Sequence, residues 1–366
     1  MKNFKLIAML VVSMVMFGCA STEQMLPSEP REPSEDDESY TMVDVFFATD
    51  RAIDNEQDVY EYYGAKRADV TYGIAAVSIP QDHKIGELES PTWWKLEFFE
   101  NPDKHVILHT IFRSEKEDYF ERLKGRVGVS RDNDLLIYVH GYNVTFSDAA
   151  RRTAQMVYDL SFDGAAVFYS WPSHGKMLKY TSDEVNVQWA QTNITAFLKD
   201  VVEKSDAENI YLIAHSMGNR ALTRSYVDLM RSNPEFSGKV REVILAAPDI
   251  DADVFKRDIV PEMVKSNTPI TLYASSEDIP LKVSREVHAG YPRAGDAGAN
   301  LVVLDGVETI DATNVGSGFL DHSYYAEERP VISDIFNILH HSMRASDRAS
   351  LTEIQTQDGT YWKFRR

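Results

Sequence analysis

The 366-residue chain has one cysteine, Cys19, so no internal disulfide can form and no cysteine pair is available to hold zinc. It has no His-Glu-x-x-His stretch, no cluster of His and Asp at ligand spacing and no glycine-rich loop that would cradle phosphate, so no metal and no cofactor is expected. Positive charge is scarce: 38 Lys and Arg face 57 Asp and Glu, for a formal net charge of −19, and such a surface repels a nucleic-acid backbone. The apolar run from Leu6 to Phe17 is too short for a comfortable membrane span of about 20 residues. What remains is ample for folding, since 43% of the residues are apolar. The length allows either two domains or one large α/β core with an extension.

Lys2 and Lys5 precede the short apolar run, the pattern of a secretion signal over residues 1–18. It ends in Met16-Phe17-Gly18-Cys19, which resembles a bacterial lipoprotein processing box with Met in place of the usual Leu. That resemblance implies lipidation of Cys19, where each buried methylene supplies about 0.8 kcal/mol and several acyl chains would hold the protein on a bilayer. Ala20 resembles the sorting pattern of outer-membrane lipoproteins, which places the protein on that membrane, facing the periplasm. Residues 19–40, "CASTEQMLPSEPREPSEDDESY", are rich in Pro, Ser and acid and read as a disordered tether spanning on the order of 25 Å.

Residues 41–130 read as a strand-rich extension continuous with the core, with "YTMVDVFFATDRAI" and "YGIAAVSIP" as strands. Over 131–345 short apolar runs alternate with amphipathic stretches, the pattern of a doubly wound, mostly parallel sheet buried on both faces by helices. The six expected strands are "DLLIYVHG", "AAVFYSWP", "NIYLIAHS", "EVILAAPD", "PITLYASS" and "NLVVLDG". Ligands bind such sheets at the carboxyl ends of the strands. Residues 346–366 read as a terminal hairpin with a primed turn at Asp358-Gly359 and carry no chemistry.

A serine attacks only when a base takes its proton and donors await the oxyanion. "AHSMG" puts Ser216 between the small residues Ala214 and Gly218, after an apolar strand and before a helix starting near Asn219, as a nucleophile elbow requires. The Met217 amide is one candidate oxyanion donor; Tyr142, after the His140-Gly141 turn, is the other. An acid and a base should follow in that order. Asp278, beyond the fifth strand, is the favoured acid, with Asp249 as runner-up, while Glu277 could cap the turn. His322 follows the last strand and is preferred as base over His288 and the His340-His341 pair. "PDIDADV" reads as a helix start capped by Asp251 or Asp253 rather than a metal site.

With these residues in place, the chain resembles the α/β-hydrolase superfamily, and more narrowly a bacterial family of secreted or lipid-anchored hydrolases of unknown function. The resemblance runs from about Met42 to Leu339 on "VFFATDRA", "YGIAAVSIP", "LIYVHGYNVTF", "FYSWPSHGKMLKYTSDE", "IYLIAHSMGNRAL", "LAAPDIDADVF" and "LYASSEDIPLKVS". It implies Ser216 as nucleophile, Asp278 as acid, His322 as base, and Tyr142 and Met217 as oxyanion donors. Only one helix fits between Pro248 and Pro269, so no large cap is expected there. The roof is assigned to "WPSHGKMLKYTSDE", the Ile279 to Asn300 loop and the aromatics around Trp93 and Trp94, although burial preference makes those aromatics core before substrate contacts.

The expected function is a serine hydrolase cleaving a small-molecule ester or lipid through an acyl-enzyme, a carboxylesterase by preference. One alternative is a lysophospholipase, amidase or peptidase on the same triad. Another is a lipid-anchored binding protein on a hydrolase fold. Protein partners are left open.

Overall fold

The structure is a computed structural model that describes residues 39–91, 97, 99–277, 279–315 and 329–365. Cys19 and most of the tether, Trp93, Trp94, Asp278 and His322 lie outside the described residues.

The strands in chain order are β1 (Tyr40–Ile53), β2 (Tyr63–Pro80), β3 (Ile107–Ser114), β4 (Asp134–Val139), β5 (Ala165–Ser170), β6 (Asn209–His215), β7 (Val240–Ala246), β8 (Ile270–Ala274), β9 (Glu308–Asp311), β10 (Leu351–Thr356) and β11 (Gly359–Phe364). Among the described residues they form one eleven-stranded sheet in the order β10-β11-β9-β8-β7-β6-β4-β5-β1-β2-β3. From β1 through β9 to β11 the neighbours run parallel, while β1, β2 and β3 pair antiparallel among themselves, as do β10 and β11. The extension expected at 41–130 is thus part of the same sheet, its β1 lying against β5.

The helices are α1 (Lys116–Val129), α2 (Phe146–Asp159), α3 (Tyr180–Lys204), α4 (Gly218–Ser232), α5 (Ala252–Val254), α6 (Val260–Met263), α7 (Ile279–Val287) and α8 (Arg329–His341). Strand side chains alternate between two cores. Leu135, Ile137, Val139, Leu212 and Ala214 pack with α1, α3, α4 and the segment around Phe255, whereas Leu136, Tyr138, Tyr211 and Ile213 pack with α2 and α8. Each such aliphatic side chain, fully buried, stabilises by about 1.5–3 kcal/mol, so the continuous apolar runs suit only strands covered on both faces. Thr145 opens α2 with a capping box closed by Asp148. That fixes where the loop after β4 ends.

Three expectations need correction. The strand-rich stretch ends in a helix, α1, because Tyr119, Phe120, Leu123 and Val127 recur at helical spacing and are all buried. "NLVVLDG" forms no strand. It turns at Asp305-Gly306, with the Val307 N–H donating to the Leu304 carbonyl at 3.2 Å, and the sheet is completed by β9 just beyond. The hairpin β10–β11 forms, but its turn is Gln357-Asp358; positive φ falls on Gly359 (128°) and on neither turn residue, so the turn is not primed. Between Pro248 and Pro269 one broken helix runs through α5, a π-helical turn at Phe255–Ile259 and α6, with Asp251 capping its start.

Candidate active site

The stretch "IAHSMG" forms the last residues of β6, a two-residue turn and the start of α4. Ser216 at the turn has φ +48°, a left-handed conformation that L residues adopt at a cost of order 1–3 kcal/mol. Its neighbours hold it there. The Ser216 N–H donates to the Ala246 carbonyl (3.0 Å), and its own carbonyl accepts from the backbone N–H groups of Asn219 (3.2 Å) and Asp249 (3.1 Å). The Asn219 side-chain amide adds a third bond to that carbonyl at 3.0 Å. Gly218 is confined by backbone: a Cβ there would collide with the His140 carbonyl oxygen and come within 2.7 Å of that of Val139. The Met217 amide, at the head of α4, has no acceptor among the described residues, and it sits where the helix dipole adds positive charge.

Beside this elbow runs the end of β4. At Gly141 a Cβ would come within 3.0 Å of the Ser216 Cβ and 2.8 Å of the His215 Nδ1, so glycine lets the turn carrying Tyr142 approach the serine. His140 is buried, and its ring stacks on Trp171 with centroids 5.0 Å apart. Burial, then the nearby Arg51 charge, push its pKa down to about 3. The ring is neutral and wedges the turn.

Arg51 is the buried staple of this region. The β1–β2 register slips on both sides of it, which re-aims a side chain. Its guanidinium donates to the carbonyls of Gly64 (3.1 Å), Ser173 (2.7 Å) and Val144 (2.8 Å) and to the Ser170 Oγ (2.8 Å). The loops after β4 and β5 are therefore tied to one cation, whose pKa burial lowers to about 10.

On the other flank lies Asp249, 1% exposed at the end of β7. Tyr180 donates to its carboxylate at 2.5 Å, Ser284 donates too, Arg220 reaches it at 3.2 Å and Arg293 at 3.4 Å. Burial pushes Asp249 up, but Arg220, Ser284, Tyr180 and Arg293 together hold it below the usual carboxylate range. Both oxygens are engaged. Above it, the Tyr142 and Tyr180 rings meet at 5.1 Å, and His288 bonds Glu184 (2.8 Å), which pairs with Arg220 (2.6 Å). Tyr180 and Glu184 belong to α3 and His288 directly follows α7, in two of the three segments to which the sequence assigned the roof; Trp93 and Trp94, in the third, lie outside the described residues.

The structure thus brings Ser216, Met217, Tyr142 and the runner-up acid Asp249 to one edge of the sheet. Asp278 and His322 fall outside the described residues; their flanks, Glu277 after β8 and Val315 after β9, are on the same edge. His340 is elsewhere, its Nε2 donating to the Leu160 carbonyl at the end of α2. Sequence reasoning gave Arg51, Tyr180, Asp183 and Arg220 no role, although "TDRA" and "YTSDE" contain three of them. Among the described residues no group of three His, Cys, Asp or Glu could hold a metal.

No curated protein matches the sequence. A solved structure of a candidate cell surface hydrolase from Lactobacillus plantarum WCFS1 is 14% identical, covering 59% of this chain and 95% of its own, with a TM-score of 0.36. A lipase-esterase related protein from Clostridium acetobutylicum ATCC 824 is 13% identical over 57% of this chain and 95% of its own, with a TM-score of 0.33. Lipase B of Aspergillus fumigatus is 11% identical over 50% of this chain and 45% of its own, with a TM-score of 0.30. The model of one family, described as alpha/beta hydrolase of unknown function (DUF900), matches residues 115–340, well over half of the chain, and to that family of hydrolases the chain belongs.

Proposed function

We propose that the protein is a serine hydrolase of carboxylic esters that works through an acyl-enzyme. The observation that carries this reading is Ser216, held at φ +48° between β6 and α4 with the Met217 amide beside it. In the proposed reaction His322 takes the Ser216 proton, and Asp278 fixes the His322 tautomer. The amides of Met217 and Tyr142 hold the tetrahedral oxyanion, and water releases the acid. Asp278 is preferred to Asp249 because the Asp249 oxygens are already bonded to Tyr180, Ser284, Arg220 and Arg293. Ester is preferred to amide because no peptide-recognition subsite is evident among the described residues.

The test is labelling with a fluorophosphonate probe. Wild type should label and Ser216→Ala should not; a wild type that stays unlabelled where other serine hydrolases react refutes the proposal. Asp278→Asn should lose ester turnover. Loss with Asp249→Asn alone would move the acid. The envelope placement is part of the same reading: signal peptide 1–18, acyl anchor on Cys19, tether 19–40, and an outer-membrane position facing the periplasm.

A further inference from the structure

An imidazole that the reaction proposed above does not use follows β5. Directly after β5, Ser173 Oγ donates to Asp183 Oδ2 at 2.6 Å, while Asp183 Oδ1 accepts from the His174 backbone N–H at 3.0 Å and meets the His174 Nδ1 at 2.7 Å. Asp183 is fully buried, whereas the His174 side chain is 28% exposed. A carboxylate only accepts, so Nδ1 carries a proton, and in that tautomer of the imidazole Nε2 is the acceptor. No partner for Nε2 occurs among the described residues.

The dyad is wired to the candidate oxyanion loop. Ser173 Oγ also accepts from the Val144 N–H at 3.2 Å, and the Ser173 carbonyl is held by Arg51 at 2.7 Å. The Tyr142 hydroxyl feels Asp183: burial, then the Asp183 charge, raise its pKa. Along the sheet edge the order is β6, β4, β5, so the loop that carries His174 follows the strand two places from the one that leads to Ser216.

We infer that His174, oriented by Asp183, is a specificity-determining residue that accepts a hydrogen bond from a hydroxyl on the substrate, so the substrate class is esters of polyols such as glycerol or sugars. An anionic headgroup is disfavoured there, since Asp183 and Glu184 adjoin the site and the whole chain carries a charge of −19. The inference rests on the serine-hydrolase reading. It adds the leaving alcohol to it.

The experiment uses the full chain in detergent and two substrates with one acyl group, a monoacylglycerol and the matching propyl ester, alongside fluorophosphonate labelling. Wild type should prefer the glycerol ester. His174→Leu should lower kcat/KM for it about tenfold, the scale of one lost hydrogen bond, with the propyl ester and the labelling rate unchanged. His174→Gln, which keeps an acceptor, should restore part of the preference. Equal losses on both esters, or no wild-type preference, overturn the inference alone. Loss of labelling in His174→Leu also overturns it, by making His174 the base of Ser216. Failure of wild type to label overturns the serine-hydrolase reading and this inference with it.

Discussion

At the residue scale, the candidate site separates what a short sequence window encodes from what only the fold assembles. Ser216, Gly218 and the turn they flank are local: a strand, a small-residue pentapeptide and a helix follow one another, which is why the turn is legible in "IYLIAHSMGNRAL". Arg51 is the opposite case. It touches Val144, 93 positions away, and Ser173, 122 positions away, and nothing near it in sequence signals a buried cation. Truncation to Met would strand the carbonyls of Gly64, Val144 and Ser173 without donors. Each buried orphan costs about 1–3 kcal/mol, so Arg51→Met should lose about 3 kcal/mol or more in urea denaturation. Because the loop carrying Tyr142 is released, labelling of Ser216 should also slow, and normal labelling in the folded variant would contradict the staple role.

At the element scale, five of the six expected core runs are strands where periodicity put them. The sixth moved because "NLVVL" and "VETID" are similar apolar runs around one Asp-Gly turn, and pattern alone does not say which of them meets β8. Helix α1 was hidden because its apolar residues are spaced by three and four within a charged stretch, next to a stretch dense in aromatics. Elements are also joined by a titrating clasp. His83, in the link between β2 and β3, bonds Glu89 and the terminal α2 residue Asp159, each at 2.8 Å. Burial alone would lower its pKa, but the Asp159 and Glu89 carboxylates outweigh it and raise it to about 9 from 6.5. A raised pKa means the folded state holds the proton more tightly. The stabilisation is fully present below pH 6.5 and fades as pH climbs through 9, a contribution of up to about 3 kcal/mol. Urea midpoints should fall between pH 6.5 and 9.5 in wild type and fall less in His83→Gln; equal slopes would discount the clasp.

At the scale of the whole molecule, the family match begins at residue 115, yet β1 and β2 lie in the same sheet and β1 delivers Arg51 to the site. The N-terminal strands therefore work as part of the hydrolase body. The anchor proposed for the preceding segment has a direct check. Cys19→Ser should move the protein from the membrane pellet to the soluble fraction while leaving probe labelling intact, and unchanged fractionation would remove the acyl anchor from the proposal.

The placement of β1 between β2 and β5 also bears on how the chain reaches its final state. Thr49 donates to the Ser170 carbonyl 121 residues downstream, and β9 acquires its outer neighbour only from β11, among the last residues of the chain. Such distant pairings make loop closure slow relative to local helix formation. The β3 side of the sheet can close once β5 is present, whereas the other side waits for β11, so the two halves of the sheet are completed at different times.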